Sequence, residues 1–223
     1  MSVATQAVVD QLTSRVRTME GKTRNAWDAL PVSPGLAPLL PQGLQTGNCY
    51  SVRGSLGLAL ALMAEASAGG RWCGVVAVPE FGAEAAAALG IDLSRLLLVP
   101  DPQQEWLTAV ATLVEVLPLV LARAPAHVPA KEISRLEARL RRQGGVLVVL
   151  VEESRRWPRV AANLEAGRSE WSGIAAGRGI LVERELAVRV TERSGQQREV
   201  QVHQRDGGYV AAVPVLPALG RVG

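Results

Sequence analysis

The run Tyr50-Ser51-Val52-Arg53-Gly54-Ser55-Leu56-Gly57-Leu58-Ala59 carries the chain from an apolar, strand-like stretch into a stretch of strong helix formers. A strand that turns through glycines into a helix has the geometry of a phosphate-binding loop. In such a loop backbone N–H groups wrap the phosphates, a Lys meets the outer ones and a Ser or Thr holds magnesium. The glycines are present and the Lys is missing. With Gly57 as the last loop glycine, Leu58 and Ala59 stand where the Lys and the hydroxyl belong; shifted by one residue, Gly57 and Leu58 stand there. Both registers remove the cation and the metal-binding hydroxyl, so the junction reads as a nucleotide-binding scaffold without hydrolysis. Arg53, Gly54, Ser55 and Gly57 form this degenerate loop, and Arg53 is the residue placed to replace the Lys in part. The competing reading is a turn that only connects strand to helix.

On either side of the junction the elements alternate. The strand is expected over Asn48 to Val52 and the helix over Ser55 to Ala68, where Leu and Ala alternate but Gly69-Gly70 supplies a stop. Trp72 to Val78 reads as a second buried strand, Leu96 to Val99 and Leu117 to Ala122 as strands, and Val146 to Val151 as a strand buried on both sides. Ala83 to Leu89, Glu105 to Val116 and Pro129 to Arg142 read as the helices between them. After Val151 the pattern changes. Glu152 to Gly179 is polar, bears glycines and has poor periodicity, whereas Leu186–Val190, Val200–Val202 and Tyr209–Val213 alternate between hairpin signals at Ser194-Gly195 and Asp206-Gly207-Gly208. Val8, Leu12, Val16 and Met19 are spaced as one face of a leading helix over Val3 to Met19, and Val213 to Gly220 is an apolar tail. The expected fold is α/β: a mainly parallel central sheet flanked by helices, with antiparallel strands at the C-terminal end. Residues 1–38 are read as an N-terminal helix and linker, 39–215 as the core domain and 216–223 as a tail.

Composition agrees with a sheet covered by helices, because 48% of the 223 residues are hydrophobic but only 4% are aromatic, leaving Ala, Val and Leu to fill the interior. The net charge is only +3, and the basic residues are Arg apart from Lys22 and Lys131, which favours forked contacts to carboxylate or phosphate. Cys49 and Cys73, with His127 and His203, have no zinc-site spacing, so no metal is expected. Met1 to Glu20 has no unbroken apolar core of the signal-peptide kind. The apolar run Leu107 to Leu121 carries Glu115 and Pro118 and is too short to cross a bilayer. A cytoplasmic protein that does not contact the membrane is the expectation.

Leu40-Pro41-Gln42-Gly43, the loop and helix ending in Ala64-Glu65-Ala66-Ser67-Ala68-Gly69-Gly70, Cys73 to Val78, and Leu89-Gly90-Ile91-Asp92-Leu93-Ser94-Arg95-Leu96-Leu97 follow one another in an order that resembles the RecA recombinase core. The resemblance spans Leu40 to Arg193 and implies a RecA-like P-loop core. Lacking the Lys, the chain looks most like the ImuA group of accessory proteins, of the actinobacterial ImuA-prime type. That likeness implies a non-catalytic role in SOS-linked, DNA-damage-induced translesion synthesis and mutagenesis. It also implies association with an ImuB-type Y-family polymerase homologue and, directly or indirectly, with an error-prone C-family polymerase. Single-stranded DNA and self-association are further contacts it leaves open, and it implies no cofactor. A DNA-dependent ATPase or recombination mediator and a SulA-like division inhibitor are the alternatives.

Departures from the recombinase pattern point the same way. The strand Leu117 to Leu121 lacks an acidic residue for magnesium, with Ala122 and Arg123 following it. Glu80 lies near the position of the water-activating carboxylate, and Glu152 and Glu153 would repel an outer phosphate. No catalytic residue is therefore assigned. The candidate contact residues are Arg155, Arg156, Trp157, Arg159, Arg168 and Trp171, in a stretch where the resemblance puts the recombinase's mobile DNA-binding loop. They suit phosphate pairing and base stacking, or else a protein anchor, and for Trp157 a merely structural role is a third reading. Lys131, Arg135, Arg139 and Arg142 fall on one helix face as a basic stripe, which is either a contact surface or a solvated face interleaved with Glu132 and Glu137.

Overall fold

A computed structural model describes residues 29–175, 178–205 and 207–210, giving the backbone alone for 173–175 and 178–182. The expected leading helix over Val3 to Met19 and the apolar tail over Val213 to Gly220 lie outside the described residues. In chain order the elements are β1 (Ala29–Leu30), β2 (Leu44–Gln45), β3 (Cys49–Arg53), α1 (Leu56–Ala68), β4 (Cys73–Val76), α2 (Ala83–Ala88), β5 (Leu96–Val99), α3 (Trp106–Val116), β6 (Leu119–Arg123), α4 (Ala130–Gln143), β7 (Val146–Val151), β8 (Ala162–Ala175), β9 (Arg178–Glu192), β10 (Gln197–Arg205) and β11 (Gly208–Val210).

Nine of these strands make one sheet in the order β11-β10-β9-β8-β3-β7-β6-β4-β5. The six strands from β8 to β5 pair in parallel, and β9, β10 and β11 complete the sheet through antiparallel pairs. All six residues of β7 are buried, as expected of a strand with helices on both faces. One face carries α1 and α2, with Leu58, Leu62 and Ala86 packing over Tyr50, Val52, Val75 and Val148. The other carries α3 and α4, where Val110, Val114, Ile133 and Leu140 cover Cys49, Val120, Leu147 and Val149. Being parallel, the strands end on a common edge, the place where open α/β sheets gather their functional loops.

Beyond β3 the two faces differ. On the α1 face Leu36, Leu39 and Leu44 from the segment before β3 cover Leu164, Val188, Val190 and Val202. On the opposite face Asn163, Glu165, Arg189, Thr191 and Gln197 alternate with those apolar residues, and no helix among the described residues covers them. This half of the sheet is amphipathic strand by strand, which is how an antiparallel sheet meets water.

Several boundaries depart from the sequence reading. The first strand runs through Arg53, so Arg53 lies in the sheet and Gly57 inside the first turn of α1. Ala77, at φ 58, ends β4 two residues before the expected Val78. The strand expected over Leu117 to Ala122 runs instead from Leu119 to Arg123, which brings Arg123 into the sheet. The largest correction is at 152–179. The stretch from Ala162 to Ala175, in the region where the resemblance puts a mobile loop, is a strand paired with β9. Register shifts between Ala166 and Ser169 and between Ser172 and Ile174 break its period-two pattern, so its alternation cannot be read from the sequence. Since β3 pairs only with Ala162 to Glu165, the rest of β8 continues past the end of β3 beyond the sheet's carboxyl edge.

Candidate functional site

Only Gly54 and Ser55 separate β3 from α1. Gly54 takes φ 78, and a side chain there would meet the Ala166 carbonyl oxygen at 3.0 Å, so the turn is tight and has β8 at its back. Ser55 is the N-cap: its Oγ accepts the Leu58 N–H at 3.1 Å, and its carbonyl accepts the Ala59 N–H at 3.2 Å. The hydroxyl nearest a would-be phosphate is thus engaged in starting the helix.

Arg53 belongs to the face opposite α1, together with Cys49 and Ser51. Its Nη1 donates to the Glu153 carbonyl at 2.9 Å and its Nη2 to Glu165 Oε2 at 2.8 Å, while its buried Nε has no hydrogen-bond partner among the described residues. Arg53 is 9% exposed. The one cation of the junction therefore sits across the sheet from the helix whose N-terminus it was expected to serve.

On that face the segment 156–160, emerging after β7, stands beside the polar strands and encloses a cavity of about 460 Å³. Arg53, Asn163, Glu165, Arg189, Thr191 and Gln197 line its sheet side, and Arg156, Trp157, Arg159, Val160, Glu192 and Arg193 complete it. Five arginines against two glutamates make the groove cationic. Most of these charges are held in place. Arg159 donates to Ser134 Oγ at 2.8 Å and lies 3.5 Å from Glu137; Arg193 donates to the Val160 and Arg159 carbonyls at 3.3 Å; Arg189 lies 3.8 Å from Glu199. Ser51 Oγ donates to Asn163 Oδ1 at 2.8 Å across the β3–β8 pair. Burial pushes the nearby Cys49 thiol strongly up, helped by Glu137 and opposed by Arg193 and a hydrogen bond with Trp157, so it stays protonated. Among the described residues no group of His, Cys, Asp or Glu could hold a metal ion, and no helix is long and apolar enough to cross a membrane.

The six expected contact residues do not form one surface. Arg156 and Arg159 border the groove, but Trp157, expected at the surface, is only 8% exposed and packs against Trp106 with ring centroids 6.0 Å apart. Hydrophobic burial makes it part of the core between the sheet and α3. Arg155 turns away to Glu152 at 3.3 Å and to the Pro125 and Ala126 carbonyls. Trp171 pairs with Arg184, two residues from buried Leu186, and so lies on the α1 face, with the Arg184 guanidinium 5.4 Å from its ring. Arg168, within the first register shift, faces Glu170 at 2.8 Å.

Of the basic stripe, Arg139 and Arg142 approach Glu115 of α3 at 3.4 and 3.8 Å, and Arg135 pairs with Glu132 at 2.5 Å; Lys131 is exposed. Much of its charge is balanced locally. Glu80 pairs with Arg123 across the ends of β4 and β6. Asn163, Glu165, Arg189, Thr191 and Gln197 were missed as site residues. The alternation of Val188-Arg189-Val190-Thr191 marks the outward face of β9, but nothing local pairs Arg53 with a residue 112 positions away.

The sequence model of a family described as the MT3502 N-terminal domain matches residues 38–159. An uncharacterized protein of Mycobacterium tuberculosis (strain ATCC 25618 / H37Rv), Rv3395c, is 30% identical to the chain over 149 residues, covering 66% of this chain and 72% of that relative. The family match takes in β3 to β7 and the wall of the groove and ends before β8.

Proposed function

We propose, from the premise that this chain belongs to the MT3502 N-terminal domain family, that it is a non-catalytic RecA-like adaptor of the ImuA group, acting by protein contact in damage-induced mutagenic translesion synthesis. The observation that carries the non-catalytic part is the junction after β3. Its two-residue turn leaves little backbone to wrap a triphosphate, its serine caps the helix, and its arginine is paired with Glu165 on the other face. Phosphoryl transfer relies on a cation, a metal and a positioned water acting together. Glu80, the nearest candidate for positioning that water, is itself paired with Arg123.

The adaptor part is supported by the resemblance of Leu40 to Arg193 to the recombinase core and by a sheet that is parallel through β8 and antiparallel thereafter. The partners it implies are an ImuB-type Y-family polymerase homologue and, directly or through it, an error-prone C-family polymerase. Calorimetric titration with ATP and magnesium is expected to give no binding heat, and co-expression with the polymerase homologue is expected to give a complex that survives gel filtration. Magnesium-dependent ATP hydrolysis by the purified chain, or the absence of any such complex, would overturn the reading.

A further inference from the structure

The groove beside β3 combines a buried, paired cation with exposed cations at its rim. Arg53 lines it, is nine-tenths buried and is held by Glu165. Arg156 is exposed on the wall and Arg189 half-exposed on the floor. Guanidinium forks match the planar, two-oxygen geometry shared by carboxylates and phosphates. Two observations choose between them. The groove already holds a carboxylate on its buried arginine, that of Glu165, presented from a neighbouring strand. Among the described residues it also offers little for base stacking, because Trp157, though it lines the groove, is only 8% exposed and packs on Trp106, and Trp171 lies on the other face of the sheet. Base stacking on aromatic rings is a main source of affinity for single strands, so a nucleic acid here would have phosphate contacts alone. The floor is a strand surface lined with Asn163, Thr191 and Gln197 that no described element covers, which suits an extended chain.

We infer that this groove binds an acidic, extended segment of a protein partner, its carboxylates meeting the exposed guanidinium groups of Arg156 and Arg189. That the occupant is a protein rests on the adaptor reading; the chemistry of the groove does not. The test uses the full chain and a fluorescein-labelled peptide of alternating glutamate and serine, with the glutamine–serine peptide and an oligothymidylate as comparisons, read by fluorescence anisotropy. The glutamate peptide is expected to bind more tightly than either, with a salt-sensitive affinity. Arg156→Glu and Arg189→Ala should each weaken it roughly tenfold or more, whereas Arg95→Glu, just before β5 at the far edge of the sheet, should leave it unchanged. Far-UV circular dichroism and the melting temperature establish that each variant is folded. No binding of the glutamate peptide, equal binding by the groove variants, or stronger binding of oligothymidylate that Arg156→Glu abolishes would each overturn the inference. Failure here and failure of the adaptor reading are separable. A complex with the polymerase homologue that survives Arg156→Glu combined with Arg189→Ala sinks the groove and leaves the adaptor. Peptide binding by a chain that forms no such complex does the reverse.

Discussion

Arg53 Nη2 lies 2.8 Å from Glu165 Oε2, joining the end of β3 to the fourth residue of β8 across 112 positions of sequence. The guanidinium is largely buried and the carboxylate about one-third exposed, so removing one partner leaves a charged group poorly solvated. Glu165→Gln is expected to destabilise the fold by about 1–3 kcal/mol. Arg53→Met combined with Glu165→Met should cost less than Glu165→Gln alone, because an apolar pair leaves no uncompensated charge. Urea denaturation of the single and double variants measures both; a double variant less stable than the single would contradict this account of the pair.

How far the fold could be read depended on which interactions set each element. Val146 to Val151 is a short apolar run opened by glycine and buried throughout, and Leu96 to Val99 is an apolar run closed by proline that forms the partly exposed edge strand. The α4 helix was equally plain, since Ile133, Leu136 and Leu140 mark its buried face. The β8 strand was not, because two register shifts scramble its alternation and its pairing comes from residues far away in sequence. The groove was hidden for the same reason. Its wall residues Arg156 and Arg159 were visible as a basic cluster, but its floor exists only once β3, β8, β9 and β10 lie side by side.

The tryptophans separate burial from contact. Trp157→Ala removes a ring packed on Trp106 and is expected to cost about 3–5 kcal/mol. Trp171 is 51% exposed and touched by Arg184, so Trp171→Ala should cost about 1 kcal/mol or less. Denaturation midpoints compare the two. Equal losses would mean that Trp157 is not the core residue its burial indicates.

Two glycines should respond to alanine with opposite signs. A Cβ at Gly35 would stand 2.4 Å from the Tyr209 carbonyl carbon and 2.5 Å from the Val210 nitrogen, backbone atoms of β11 that cannot move without disturbing the sheet edge. Gly35→Ala should therefore cost about 1–3 kcal/mol. At Gly57 the nearest atom is Ser55 Oγ at 3.9 Å, and the residue is already helical. Gly57→Ala should stabilise the chain by up to about 1 kcal/mol through its helix propensity. Thermal melts of the two variants decide this, and a destabilised Gly57→Ala would mean that the first turn of α1 needs its glycine for something other than the helix.

Stability should fall in alkaline solution, beginning with Cys49. Burial raises this thiol well above its ordinary value of 9.0, and burial likewise raises Tyr50 and Tyr209 above their ordinary 10.0. Below pH 9.0 the thiol is protonated in both folded and unfolded chains, and its contribution is constant. Above it the unfolded chain releases a proton that the folded chain keeps, so each further pH unit favours unfolding by about 1.4 kcal/mol for this one group. The two tyrosines add their share above pH 10.0. Tyr50 also accepts the Gln45 N–H at its hydroxyl at 2.8 Å, a contact that moderates its shift without reversing it. Denaturation free energies measured from pH 7 to 11 should be flat and then decline. Cys49→Ala should flatten the decline between pH 9 and 10 while leaving the later, tyrosine-linked fall in place. An unchanged slope in that variant would place the alkaline transition elsewhere in the molecule.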